Sequence, residues 1–128
     1  MSELRRPGAD ARQSGELGVH GLFEPYVLLL LSENPAPTHG YDLRDRLIRW
    51  GIAATRHQVD LYGLLHRLQR KGLIHAQWQT SDDGVRRRMY MLTTAGWEML
   101  PQWEQALERD RQAIELFLQR VRAPVENA

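Results

Sequence analysis

Three adjacent arginines, Arg86, Arg87 and Arg88, follow the turn-forming residues Ser81-Asp82-Asp83-Gly84. A guanidinium presents a rigid fork of N–H donors that matches phosphate oxygens, so a basic tip of this kind suits a polyanion. A second group lies upstream: Arg56, His57, Gln58 and Asp60, followed by Tyr62 and Arg67. These types can read base edges, with arginine on guanine, glutamine on adenine and a carboxylate on the amino group of cytosine. Each also has an ordinary structural reading. Gln58 could only cap a helix, Tyr62 could simply pack, Arg67 could pair with a local carboxylate, and the three adjacent arginines could be merely solvated. Tyr41 could touch a nucleic-acid backbone or bury its ring.

Catalytic chemistry finds little to work with. Cysteine is absent, so no thiol nucleophile, zinc–thiolate site or disulfide framework is available. The five histidines show no i,i+4 metal pair, and His57 and His66, nine residues apart, fall on opposite sides of a helix. No phosphate-binding glycine loop or nucleophile elbow occurs. We expect no enzyme activity, no metal and no cofactor.

The charge distribution points the same way. Net charge is only +1, but ten basic residues outnumber six acidic ones between residues 37 and 100, while both flanks are mildly acidic. A local cationic surface is the expectation. The 128 residues allow one domain with an appendage, and 42% hydrophobic content is ordinary for a folded chain. The longest apolar run, Tyr26 to Leu31, is too short for a bilayer, and the N-terminus lacks a secretory layout, which leads us to expect a cytoplasmic protein.

The elements that must position these groups follow from periodicity. Residues 1–20 read as a disordered tail. A helix starts near Glu24 and Pro25, and Val27, Leu28, Leu30 and Leu31 make it apolar nearly all round, a central core helix. Asn34-Pro35-Ala36-Pro37 ends it. A second helix runs from Gly40 to Trp50 with Leu43, Leu47 and Ile48 inward, and with Asp42–Arg46 and Asp45–Arg49 pairs outward. A third is expected from a Thr55/Gln58 capping box to Lys71, with Leu61, Leu64, Leu65 and Leu68 on one face. Then the period changes to two. Residues Ile74–Gln79 and Arg86–Leu92 form a hairpin. Three helices and a basic hairpin make a winged helix-turn-helix over residues 21–93, in a mainly α fold with a small β component.

Residues 94–122 form one long helix, followed by a short tail at 123–128. Leu100, Trp103, Leu107, Ile114, Phe117 and Val121 recur at spacings of three and four, the seam of a helix that meets another helix, expected from a second subunit. Packing on its own domain is the alternative. Pro101 should kink or restart the helix. Trp50 and Trp78 read as core or rim. Trp97 and Trp103 lie near the expected subunit interface, where paired rings could stack a flat aromatic or apolar effector.

Three stretches in this order resemble the PadR family of bacterial transcription regulators: His39-Gly40-Tyr41-Asp42-Leu43, then Leu61-Tyr62-Gly63-Leu64-Leu65-His66-Arg67-Leu68 with Lys71-Gly72-Leu73-Ile74, and Arg87-Arg88-Met89-Tyr90-Met91-Leu92-Thr93-Thr94-Ala95-Gly96. The resemblance covers roughly residues 23–100. It implies a homodimeric repressor on a pseudo-palindromic operator in double-stranded DNA, with a long last helix that contacts its partner. Asp60 departs from the family pattern, which commonly places a small hydroxyl or amide residue there. A carboxylate on that face repels phosphate, so the alternative expectation is an interaction module whose DNA affinity is weak or lost.

Overall fold

The apolar run that the sequence places at the centre is at the centre. In the computed structural model, which describes residues 22–34, 36–51 and 60–124, helix α1 (Phe23–Glu33) buries Val27, Leu28, Leu30 and Leu31 almost completely. Burying one such side chain contributes about 1.5–3 kcal/mol, so four on three turns make α1 the pin of the core. Around it pack α2 (Gly40–Arg49), α3 (Leu61–Arg70), β2 (Ile74–Thr80), β3 (Arg86–Leu92) and α4 (Thr94–Arg122).

A two-residue strand, β1 (Thr38–His39), completes a three-stranded antiparallel sheet in the order β1-β3-β2. We expected only a hairpin. Two residues are too few to show a period, and Thr38 takes its place by pairing with Tyr90. Its buried hydroxyl donates to the Ala36 carbonyl at 3.3 Å and accepts from Asn34 Nδ2 at 3.4 Å. The wing turn closes as expected: Ser81 N–H donates to Val85 O, Asp83 Oδ1 accepts from Val85 N–H at 3.0 Å, and Gly84 takes a φ of 83°.

One helix start and one side-chain pair differ from the sequence expectation. Asp60, with φ −89° and ψ 72°, is the N-cap of α3, and its carboxylate accepts from Gly63 N–H at 3.0 Å. Helix α3 therefore begins at Leu61 rather than at the Thr55/Gln58 box, which lies outside the described residues. The physical reason is competition: a short carboxylate that satisfies a free N–H of the first turn favours a cap over continued helix. On α2, Asp42 pairs with His39 at 3.4 Å rather than with Arg46, whereas Arg49–Asp45 forms as expected at 2.6 Å.

Thr93 ties the sheet to the last helix. Its hydroxyl donates to Gly72 O at 2.6 Å and accepts from Gly96 N–H at 3.1 Å, capping α4. Gly96 sits so close to the neighbouring turn that a Cβ there would lie 2.1 Å from Leu73 O. Helix α4 continues through Pro101 without a restart. Its first half packs on α1 and joins the core, with Trp103 only 4% exposed. Roughly 43 Å long at 1.5 Å per residue, the helix outruns the domain that it covers.

Candidate nucleic-acid interface

Helix α2 opens where β1 ends, because the His39 Nδ1 accepts from Asp42 N–H at 3.4 Å and so caps the first turn. This puts Tyr41 on the surface, two-thirds exposed, beside the start of α3. On α3 the four leucines at 61, 64, 65 and 68 are buried, so the helix must turn Tyr62, His66 and Arg67 outward. Alternation along β3 does the rest: Tyr90 and Leu92 anchor the inner end in the core, and the arginines project at the outer end.

These three elements enclose a groove of about 510 Å3, lined by His39, Gly40, Tyr41, Tyr62, Val85, Arg87, Arg88 and Tyr90. Gly40 lets Tyr62 lie close, since a Cβ at residue 40 would stand 3.2 Å from the Tyr62 ring edge. The Arg44 guanidinium, outside the groove lining, sits 5.3 Å from the centre of that ring in a cation–π contact. Arg88 reaches from the wing to Gln69 Oε1 on α3, at 3.5 Å. Burial pushes the Tyr90 phenol above its ordinary pKa, against the opposing pull of Arg88, so the group stays protonated and remains a donor. The start of α2 adds partial positive charge from its free N–H groups. Cations, phenolic donors and a helix start converging on one groove can hold and orient a phosphodiester.

The expected site residues divide. Tyr41, Tyr62, Arg87 and Arg88 come together at the groove. Arg86 lies on the other face of the wing from Arg87 and stacks on Trp78. Arg67 is exposed on α3, outside the groove lining, and among the described residues no carboxylate pairs with it. Arg56, His57 and Gln58 lie outside the described residues. Asp60 is a cap. Arg44, Tyr90 and Trp78 were not singled out for binding by the sequence. Arg44 sits on a helix read for its inward stripe, and only the approach of α3 gives it a role.

The seam on α4 also divides. Leu100, Trp103 and Leu107 pack against the domain's own core, while Ile114, Phe117 and Val121 are exposed. Trp97 is about half exposed but Trp103 is enclosed, with its Nε1 lacking a hydrogen-bond partner, so the two rings do not share one surface site. Among the described residues no cluster of histidines and carboxylates could hold a metal ion, and no helix is long and apolar enough to cross a membrane.

Residues 27–102 match the model of the transcriptional regulator PadR-like family. No curated protein sequence matches the chain. Among solved structures, a candidate transcriptional regulator of Thermoplasma acidophilum is 28% identical, with a TM-score of 0.68 over 79% of this chain and 94% of the other. A PadR-like transcriptional regulator of Bacillus cereus is 27% identical, with a TM-score of 0.66 over 79% and 95%. A PadR-like transcription factor of Bacteroides fragilis is 25% identical, with a TM-score of 0.59 over 76% and 90%.

Proposed function

Because the chain belongs to the PadR-like family of transcriptional regulators, we propose that its groove binds the backbone of double-stranded DNA and that the protein acts as a homodimeric repressor. One observation carries this reading: Tyr41, Tyr62, Arg87 and Arg88, from two helices and the wing, line a single cationic groove. Phosphate contacts of this kind set register, while Arg56, His57 and Gln58, which precede α3 in the sequence, would be the residues that read bases in the major groove.

Dimerisation is supported by the exposed half of the α4 seam. Ile114, Phe117 and Val121 continue the stripe that Leu100, Trp103 and Leu107 bury, so a second copy would extend the core into its own last helix. Two copies would then present their α3 helices to successive major grooves, about 34–36 Å apart, which matches a pseudo-palindromic operator. An aromatic or apolar effector between subunits would use the exposed Trp97 ring, since Trp103 is enclosed. The carboxylate of Asp60 has a structural role as a helix cap, so its presence on this face is accounted for without a loss of DNA binding.

The test is binding to a pool of fragments from the source genome at two salt concentrations. Specific fragments should be retained, and affinity should fall steeply with salt as counterions are released. Arg87→Ala with Arg88→Ala should weaken binding to every sequence; changes at Arg56 or Gln58 should alter preference among sequences. Retention of no fragment at low salt would refute the reading.

A further inference from the structure

Trp78 has no place in the groove, yet it is half exposed on the wing, where a large apolar ring needs a reason. Its surroundings supply one. The register pairs Trp78 with Arg88 and Thr80 with Arg86, so Trp78, Arg86 and Arg88 share one face of the sheet and Arg87 takes the other. The guanidinium carbon of Arg86 lies 4.8 Å from the Trp78 ring centre and that of Arg88 5.5 Å, both within cation–π range. Arg88 has a second tether at Gln69.

From this geometry we infer that Trp78 is the positioning residue of the wing, holding Arg86 and Arg88 as a preformed cationic pair for the DNA backbone. The inference rests on the DNA-binding reading above. Two arginines on one strand face repel each other, and each long side chain loses rotamer freedom when it docks on a phosphate. A ring whose face attracts both cations offsets the repulsion and restricts the side chains before DNA arrives. Contact with a ring face leaves the guanidinium donors free, because the ring offers no lone-pair acceptor. Arg87, on the opposite face, lacks this support and reaches the groove by itself.

The test uses the full chain and a fluorescein-labelled random-sequence duplex of about 24 base pairs, long enough for two half-sites one helical turn apart. Trp78→Leu should bind roughly fivefold more weakly, the factor expected from two exposed cation–π contacts, and Trp78→Phe should recover most of the loss. Arg86→Ala should weaken the wild-type chain but add little in the Trp78→Leu background. In the free protein, the side-chain δ protons of Arg86 and Arg88 should show upfield ring-current shifts that Trp78→Leu abolishes, a readout independent of DNA. Equal binding by Trp78→Leu and wild type would overturn the inference alone, as would an Arg86→Ala loss of the same factor in both backgrounds or the absence of ring-current shifts in wild type. Failure of the wild-type chain to bind any duplex would overturn the DNA reading and this inference with it.

Discussion

Replacing Asp60 separates two roles that one carboxylate could play on the face proposed to meet DNA. As N-cap of α3, Asp60 accepts a hydrogen bond from Gly63 N–H at 3.0 Å. Asparagine caps about as well as aspartate, so Asp60→Asn keeps the bond and gives up only the favourable charge at the helix start, about 0.3–1 kcal/mol. Asp60→Ala loses both, about 1–2 kcal/mol in all. For a domain of this size each kcal/mol corresponds to a Tm change of roughly 4–8 °C, which thermal unfolding followed by circular dichroism resolves. Gly63→Ala gives an independent check. Its Cβ would stand 2.2 Å from Asp60 Oδ2, so the carboxylate must leave the cap while the charge stays. On DNA the order changes. A carboxylate about 8 Å from a phosphate in water costs about 0.5 kcal/mol, so Asp60→Asn should bind a duplex roughly twofold more tightly at low salt, an advantage that salt screens away. The capping argument is refuted if Asp60→Asn destabilises as much as Asp60→Ala. Weaker duplex binding by Asp60→Asn would show that the carboxylate reads a base and is not a repelling bystander.

Other consequences are equally open to measurement. Gly96→Ala puts a methyl 2.1 Å from Leu73 O and 2.9 Å from Leu92 Cδ2, so the start of α4 must shift; urea unfolding should show a loss of at least about 1–3 kcal/mol. Phe117→Glu places a charge on the exposed half of the α4 seam, far from the core; sedimentation should show a monomer with duplex affinity much reduced, while the domain remains folded. Asp83 is held below the usual carboxylate range chiefly by the Ser81 hydroxyl, then by Val85 N–H, with Arg87 a smaller contributor. A depressed carboxyl stabilises the wing turn above its ordinary pKa and loses that effect as pH falls through the lowered value. Hydrogen exchange at Val85 should therefore lose protection only in strong acid, and Asp83→Ala should lack that acid-dependent step.

Much of this architecture is legible in the chain without coordinates. The leucines at 61, 64, 65 and 68 announce α3 because a helical stripe needs only local spacing. The alternation in β2 and β3 announces the wing, and the Ser81–Gly84 stretch announces its turn. Strand β1 is different. Two residues have no period, and Thr38 becomes a strand only because Tyr90, far along the chain, offers it backbone partners. The start of α3 is also different: the sequence reading puts it at the Thr55/Gln58 box, and Asp60 shows itself as the cap only through its backbone angles and its bond to Gly63 N–H.

The candidate site shows the same boundary at the level of single residues. Tyr41, Tyr62, Arg87 and Arg88 stand out by type, and the family motifs place them on three elements. Tyr90 joins them, and Arg44 meets the Tyr62 ring, only because α2, α3 and β3 converge, and Trp78 becomes a stacking platform only through its cross-strand register with Arg88.

What the amino-acid order determines unaided is which segments are helix or strand, where positive charge concentrates, and to which family the pattern conforms. These depend on spacings of two to seven residues, within reach of local chemistry. Tertiary structure alone decides how the uniform seam of α4 is shared out. Leu100, Trp103 and Leu107 are covered by α1 and the rest of the core, whereas Ile114, Phe117 and Val121 project past it. An apolar stripe records that burial is favourable but not which surface does the covering; that depends on where the domain ends, a property of packing among distant parts of the chain.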